Sequence, residues 1–214
     1  MFINEIIAPT KVGDKNLGTT IHYGATGASL RYIIKNRNDI RPIRKEGNLI
    51  HGVMFGASWH RIYVVYDPEV LKDVQAKEPD PERWMEKDLY NWIVGFMELT
   101  SARSGWKSFE VGMSWIQPAL RGKGLGKEMY DTAVLHDGII LMSGTSQSTA
   151  SQRIWQSMIR DNRYTVYAID LARPEKPLPI DLQADYIDIL SGDTSKKVYS
   201  RVENQIRLVA VKTE

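Results

Sequence analysis

The chain has no cysteine among its 214 residues. That absence excludes disulfides, a cysteine nucleophile and thiolate-held metals together. Histidine is scarce too: His22, His51, His60 and His136 are scattered without ligand spacing, so no metal centre is expected. No apolar run is long enough to span a bilayer, and Met1-Phe-Ile-Asn-Glu does not read as a signal peptide. A soluble, cytoplasmic protein with no membrane partner is the expectation. Charge of one sign is also lacking. A net charge of +2 does not by itself call for a nucleic-acid partner.

What is present suffices for one core. At 43% apolar, the chain can bury a single domain, or a domain with an extension. Phe2–Ile7 and Thr19–Tyr23 read as short strands, and Gly24–Ala28 as a loop. Residues 31–45 hold six basic side chains (Arg31, Lys35, Arg37, Arg41, Arg44, Lys45) against Asp39, which suits a solvated helix-and-loop face. A basic surface for an anionic partner is the alternative. Arg61–Tyr66 is a β-branched and aromatic strand. Between Asp67 and Asp88, eight acids outnumber four bases, which predicts an exposed excursion with one or two short helices. Its best helical stretch is Glu82–Tyr90, with Pro81 in the first turn.

A hairpin follows, with strands Trp92–Thr100 and Lys107–Ile116. Arg121-Gly-Lys-Gly-Leu-Gly126 then leads into a helical stretch, Leu125–His136, stopped by Asp137-Gly138. Gly138–Ser143 is short and apolar, as a buried parallel strand would be. Ser148–Arg160 predicts a helix with Ile154, Trp155 and Met158 on its apolar face. Tyr164–Leu171 and Gln205–Lys212 are further strands, and the pattern indicates a mixed α/β (α+β) sheet domain.

Strand, glycine turn and helix together aim backbone N–H groups at one point, with the helix N-terminus adding positive character. Arg121, Lys123 and Lys127 add full charges, so the turn reads as a pyrophosphate cradle. A P-loop needs Gly-Lys-Ser/Thr, whereas Gly126-Lys127-Glu128 is found. The Rossmann spacing fails as well. In the preceding strand, alternation puts Phe109, Val111, Met113 and Trp115 on a core face. Glu110, Gly112, Ser114 and Ile116 fall on the other, where Gly112 suits a bulge or a close backbone approach.

This order of elements, with Arg121-x-x-Gly124-x-Gly126, resembles the GNAT superfamily of acyl-CoA-dependent N-acyltransferases over about residues 61–171, plus the final strand. The resemblance implies a twisted mixed sheet flanked by helices, with central strands splayed around the CoA site. It makes residues 61–214 a GNAT-like domain with an acidic insertion at 67–90, and residues 1–60 an extension or atypical first elements. It also implies an acetyl group moved from acetyl-CoA to an amine, on a small molecule or a protein lysine or N-terminus. Arg121, Gly122, Lys123, Gly124, Leu125 and Gly126 would hold the pyrophosphate. Ile116 and Gln117 would offer backbone to the pantetheine arm, and Ser148 and Ser151 would touch it.

Glu110 lies eleven positions before Arg121, where the histone-acetyltransferase branch carries its general base. Where many members place a proton-donating tyrosine this chain has Trp155, which leaves Tyr164 or a water as the acid. A catalytically silent module of this fold and a nucleic-acid-directed modifier using residues 31–45 remain alternatives. The oligomeric state stays open, a dimer included.

Overall fold

The computed structural model describes residues 18–56, 60–102, 107–144, 149–170, 178–179 and 206–213, with only the backbone described for 18–25, 149, 170, 178–179 and 206. One mixed sheet organises it. Its strands are β1 (Arg41–Glu46), β2 (Leu49–Phe55), β3 (His60–Tyr66), β4 (Ile93–Ser101), β5 (Ser108–Ile116), β6 (Ile140–Met142), β7 (Tyr164–Asp170), β8 (Leu178–Pro179) and β9 (Ile206–Lys212). They lie in the order β1-β2-β3-β4-β5-β6-β9-β7-β8. β1 to β5 form an antiparallel meander, β5 and β6 run parallel, and β9 inserts antiparallel between β6 and β7. The fold is therefore mixed α/β, as the element pattern indicates.

Helices cover both faces. On one, the helix after the glycine turn, α3 (Leu125–Asp131), and α4 (Thr149–Arg160) bury Leu125, Met129, Tyr130, Trp155 and Met158 against Val53, Tyr63, Met97, Leu99 and Val111. On the other, α1 (Gly18–Lys35) contributes Leu30, Ile33 and Ile34, and α2 (Pro68–Lys77) contributes Val74. These pack with Met54, Ile62, Trp84, Trp92, Phe96, Met113 and Trp115. We call these the α3 face and the α1 face.

Several sequence expectations are corrected. Thr19–Tyr23 and Gly24–Ala28 belong to α1 and are neither strand nor loop. The β-branched and glycine residues mask a helix whose apolar spacing at 30, 33 and 34 is satisfied only against the sheet. The basic run supplies the end of α1 and the edge strand β1. Phe2–Ile7 lies outside the described residues.

The acidic stretch is the largely exposed excursion with two short helices that its charge predicts, but it is pinned to the core by Val74 and Trp84. Trp84 and Trp92 are fully buried, their rings 6.3 Å apart and edge-on, and the Trp84 indole donates to the Glu78 carbonyl at 2.9 Å. Glu82–Tyr90 forms no α-helix: a 3-10 turn at Pro81–Arg83 gives way to turns, with Asp88 at φ 52°. α2, in contrast, is specified locally. Asp67 caps it by accepting from the Glu69 and Val70 N–H groups at 3.0 and 3.2 Å, and Pro68 occupies its first turn.

The second core correction lies in β5. Glu98 pairs with Met113 and Leu99 with Val111, so Gly112 is the extra residue of a bulge. The bulge reverses the alternation. Phe109 and Val111 pack on the α3 face, whereas Met113 and Trp115 pack on the α1 face. Glu110, adjacent to Val111, therefore shares the α1 face with Met113 and Trp115 instead of opposing them.

Candidate functional site

β5 outruns its parallel neighbour. The β5–β6 ladder consists of Ser108↔Ile140, Phe109↔Leu141 and Glu110↔Met142, and there it stops. β5 continues to Ile116, while the Ser143 N–H turns to the Leu208 carbonyl of β9. The two strands part just beyond Glu110. The Gln117 N–H donates to the Val94 carbonyl, which turns Gln117 toward β4. By the alternation of an antiparallel ladder, Ile116 presents its own N–H and C=O to the opposite edge, the one on the gap.

The glycine turn lies at the end of that edge. After a 3-10 turn at Pro118–Leu120, Gly122 and Gly124 take left-handed φ values of 79° and 89°. Gly122, Lys123 and Gly124 are exposed, and a Cβ on Gly122 would meet nothing within 4 Å. Gly126 has a different reason. A Cβ there would stand 3.1 Å from Ile154 Cδ1 and 3.5 Å from Ile116 Cδ1, so it lets β5, α3 and α4 converge. Leu125 is buried and anchors the first turn of α3 in the core. Arg121 folds back to donate from Nε to the Ile116 carbonyl at 3.2 Å, and its partial burial lowers its pKa. The guanidinium thus stands at the mouth of the gap.

Lys127 is not part of the cradle. Its ammonium pairs with Asp131 and lies 3.6 Å from Asp161 and 3.3 Å from the Tyr164 hydroxyl. Tyr164 donates to Asp131, and burial followed by that bond raises its pKa well above the usual phenol range. Tyr164 belongs to the α3-face core, so Glu110 and Tyr164 sit on opposite faces of the sheet. The geometry does not bring them to one reacting atom.

Gln117 spends its backbone N–H on Val94 and its side-chain amide on the Asn91 carbonyl, 2.8 Å away. Ser151 is 2% exposed and faces the Tyr130 hydroxyl at 3.4 Å. Ser148 lies outside the described residues. Trp155 is fully buried against Tyr130, edge-on at 6.1 Å.

Around Glu110 the sheet carries a polar row on the α1 face: His60, Thr100 and Glu110 are cross-strand neighbours, followed by Met142 and Val209. Glu98 lies two pairs further along β4, opposite Met113 and on the same face. On β9, Arg207 is buried, which lowers its pKa, while the nearby Glu110 carboxylate works to hold its charge. Glu98 and Arg207 were not singled out from the sequence. The Gly112 bulge hides the shared face of Glu98 and Glu110, and β9 reads as an ordinary apolar strand.

No family model and no curated protein matches the chain. One solved structure similar to it is a protein from Bacteroides thetaiotaomicron assigned to the GNAT family of acetyltransferases. The two share 10% identity with a TM-score of 0.31, over 89% of this chain and 83% of that one. A likeness at this level carries no weight for the chemistry, which has to come from the gap and the turn.

Proposed function

We propose that the chain is an acyl-CoA-dependent N-acyltransferase, with acetyl-CoA as donor and an amine as acceptor. The observation that carries this is the parting of β5 from β6 beyond Glu110, with a left-handed glycine turn and Arg121 at the open end. A slot between parallel strands admits an extended amide-bearing arm. Its exposed edge offers the Ile116 N–H and C=O, and the exposed backbone of Gly122–Gly124 with Arg121 and Lys123 suits a diphosphate.

Glu110, where the strands part, is the base. An ammonium is no nucleophile, so Glu110, directly or through a water, takes its proton before the nitrogen attacks the thioester carbonyl. A backbone N–H of the open β5 edge nearer Glu110 answers the charge that develops on the carbonyl oxygen. The carbon–sulfur bond then breaks, and a water protonates the departing thiolate. Tyr164 is left out of this role, since its hydroxyl is committed to Asp131 on the far face. Glu98 lines the acceptor side and favours a cationic acceptor, while Arg207 beside Glu110 offsets part of the negative charge there.

The test is thiol release from acetyl-CoA with a panel of polyamines, lysine peptides and aminoglycosides. Turnover with at least one amine, lost in Glu110→Gln while CoA binding is retained, supports the proposal. CoA binding without turnover on any amine would favour a silent binding module, and no CoA binding would end both. For a nucleic-acid-directed role, the basic segment offers less than its sequence suggests. Arg37 stacks over Trp84 at 4.9 Å, while Arg44 donates to Thr132 at 3.0 Å beneath the other face.

A further inference from the structure

On the α3 face, away from the gap, His51 of β2 is 1% exposed and its Nε2 has no hydrogen-bond partner among the described residues. Its surroundings define its tautomer. The Thr132 hydroxyl gives its one proton to the Glu128 carbonyl at 2.8 Å, and it accepts from Arg44 Nε at 3.0 Å. Toward His51 Nδ1, 3.2 Å away, that oxygen can only accept again, so Nδ1 carries the hydrogen and Nε2 a bare lone pair. That lone pair faces the Glu128 carboxylate at 3.6 Å. One ligand atom from each of Glu46, His51 and Glu128 falls within 4.8 Å of the others. Acceptors brought this close need a cation between them or a proton on one.

We propose that Glu46, His51 and Glu128 bind a divalent first-row transition ion, zinc in the first instance. One imidazole and two carboxylates suit zinc, cobalt or manganese, whereas magnesium and calcium prefer oxygen alone. Thr132 is the outer partner that orients the ligating imidazole through its other nitrogen. Its own hydroxyl is fixed by the bond to the Glu128 carbonyl one turn back, at the start of the π-helical segment Thr132–His136. Bonds of about 2.0–2.2 Å put tetrahedral ligand atoms about 3.4 Å apart, so the three atoms, now within 4.8 Å of one another, must close by rotation of Glu46 and Glu128, which are 51% and 28% exposed. Arg44 is the rival cation. It holds Glu46 at 2.7 Å through Nη1 and must release that carboxylate, while its Nε can stay on Thr132.

The proposal is independent of the acyl-transfer reading and is tested on the full chain by titrating Co²⁺ and following its visible ligand-field bands, with Zn²⁺ as competitor. Stoichiometric bands displaced by Zn²⁺ are expected. They should be lost in His51→Gln, and binding should weaken roughly 10- to 100-fold in Thr132→Val. Arg44→Met, which removes the rival charge, should bind more tightly than the parent chain. Glu128→Gln serves where His51→Gln fails to fold by circular dichroism, and loses the bands likewise. Absence of bands in both the parent chain and Arg44→Met at millimolar Co²⁺ overturns the proposal. So do bands that survive in both His51→Gln and Glu128→Gln, which would mark adventitious surface carboxylates.

Discussion

Gly122, Gly124 and Gly126 are one residue type with two separate causes. Gly124 sits at φ 89°, so Gly124→Ala forces a left-handed alanine at a cost of about 1–2 kcal/mol. Gly126 is helical, and the atoms an added methyl meets are the ends of flexible isoleucines. Helix propensity favours alanine there by about 1 kcal/mol, so Gly126→Ala should be nearly neutral in thermal unfolding. Equal losses at the two sites would contradict these assignments. His51 makes a pH prediction. Burial, then the charges of Arg44 and His136, lowers its pKa from 6.5 to about 4. Its folded form therefore binds fewer protons than the unfolded chain between those values, and its contribution to stability is lost as pH falls from 6.5 toward 4. The shift corresponds to ~3 kcal/mol. Glu128, raised by burial and by Glu46, runs the opposite way, so the comparison of the parent chain with His51→Asn isolates the histidine. The variant should lose most of the slope in that window; an unchanged slope would assign it elsewhere.

At the scale of elements, α4 offers a sharper test of how the site is built. Trp155 occupies the position where the family resemblance looks for an acidic hydroxyl, yet it is fully buried against Tyr130 and its indole N–H has no partner among the described residues. Trp155→Ala should cost about 3–5 kcal/mol. Trp155→Phe should cost far less, because it also removes an unsatisfied donor. Trp155→Tyr should not raise turnover; a large gain would place the reacting sulfur near α4. Much of this level was legible in the sequence, because the signals were local. The Asp137-Gly138 stop and the short apolar β6 each sit in a few residues; the Asp67-Pro68 start of α2 is as local a signal, but it was passed over for Glu82–Tyr90. The rest depended on distant partners. The Gly112 bulge inverts the face of every residue beyond it, and alternation alone cannot see which residue is extra. The Thr132 hydroxyl meets His51 and Arg44, which are far away in sequence. For the same reason, His51 looked like a lone histidine without ligand spacing.

For the whole molecule, one sheet separates two jobs. The α3 face holds the turn helix, Tyr164 hydrogen-bonded to Asp131, and the His51 cluster, while the α1 face holds Glu110, Glu98 and the core of Trp84, Trp92 and Trp115. α1 is what the opening residues hid most completely, and it covers Met54, Ile62 and Phe96. Replacing Ile33, which is fully buried, with Asp should therefore unfold the α1 side, measurable as lost protection from hydrogen exchange in β3 and β4. Protection retained there would mean that α1 docks only loosely. The gap between β5 and β6 is where the two faces meet, and the central claim stands on it. The direct measurement is calorimetric titration of CoA into the parent chain, Arg121→Glu and Gly124→Val. The account predicts saturable one-to-one binding that drops at least about tenfold in each variant, each phosphate contact being a charge-assisted bond. Absence of binding to the parent chain, or equal affinity in all three folded proteins, would contradict it.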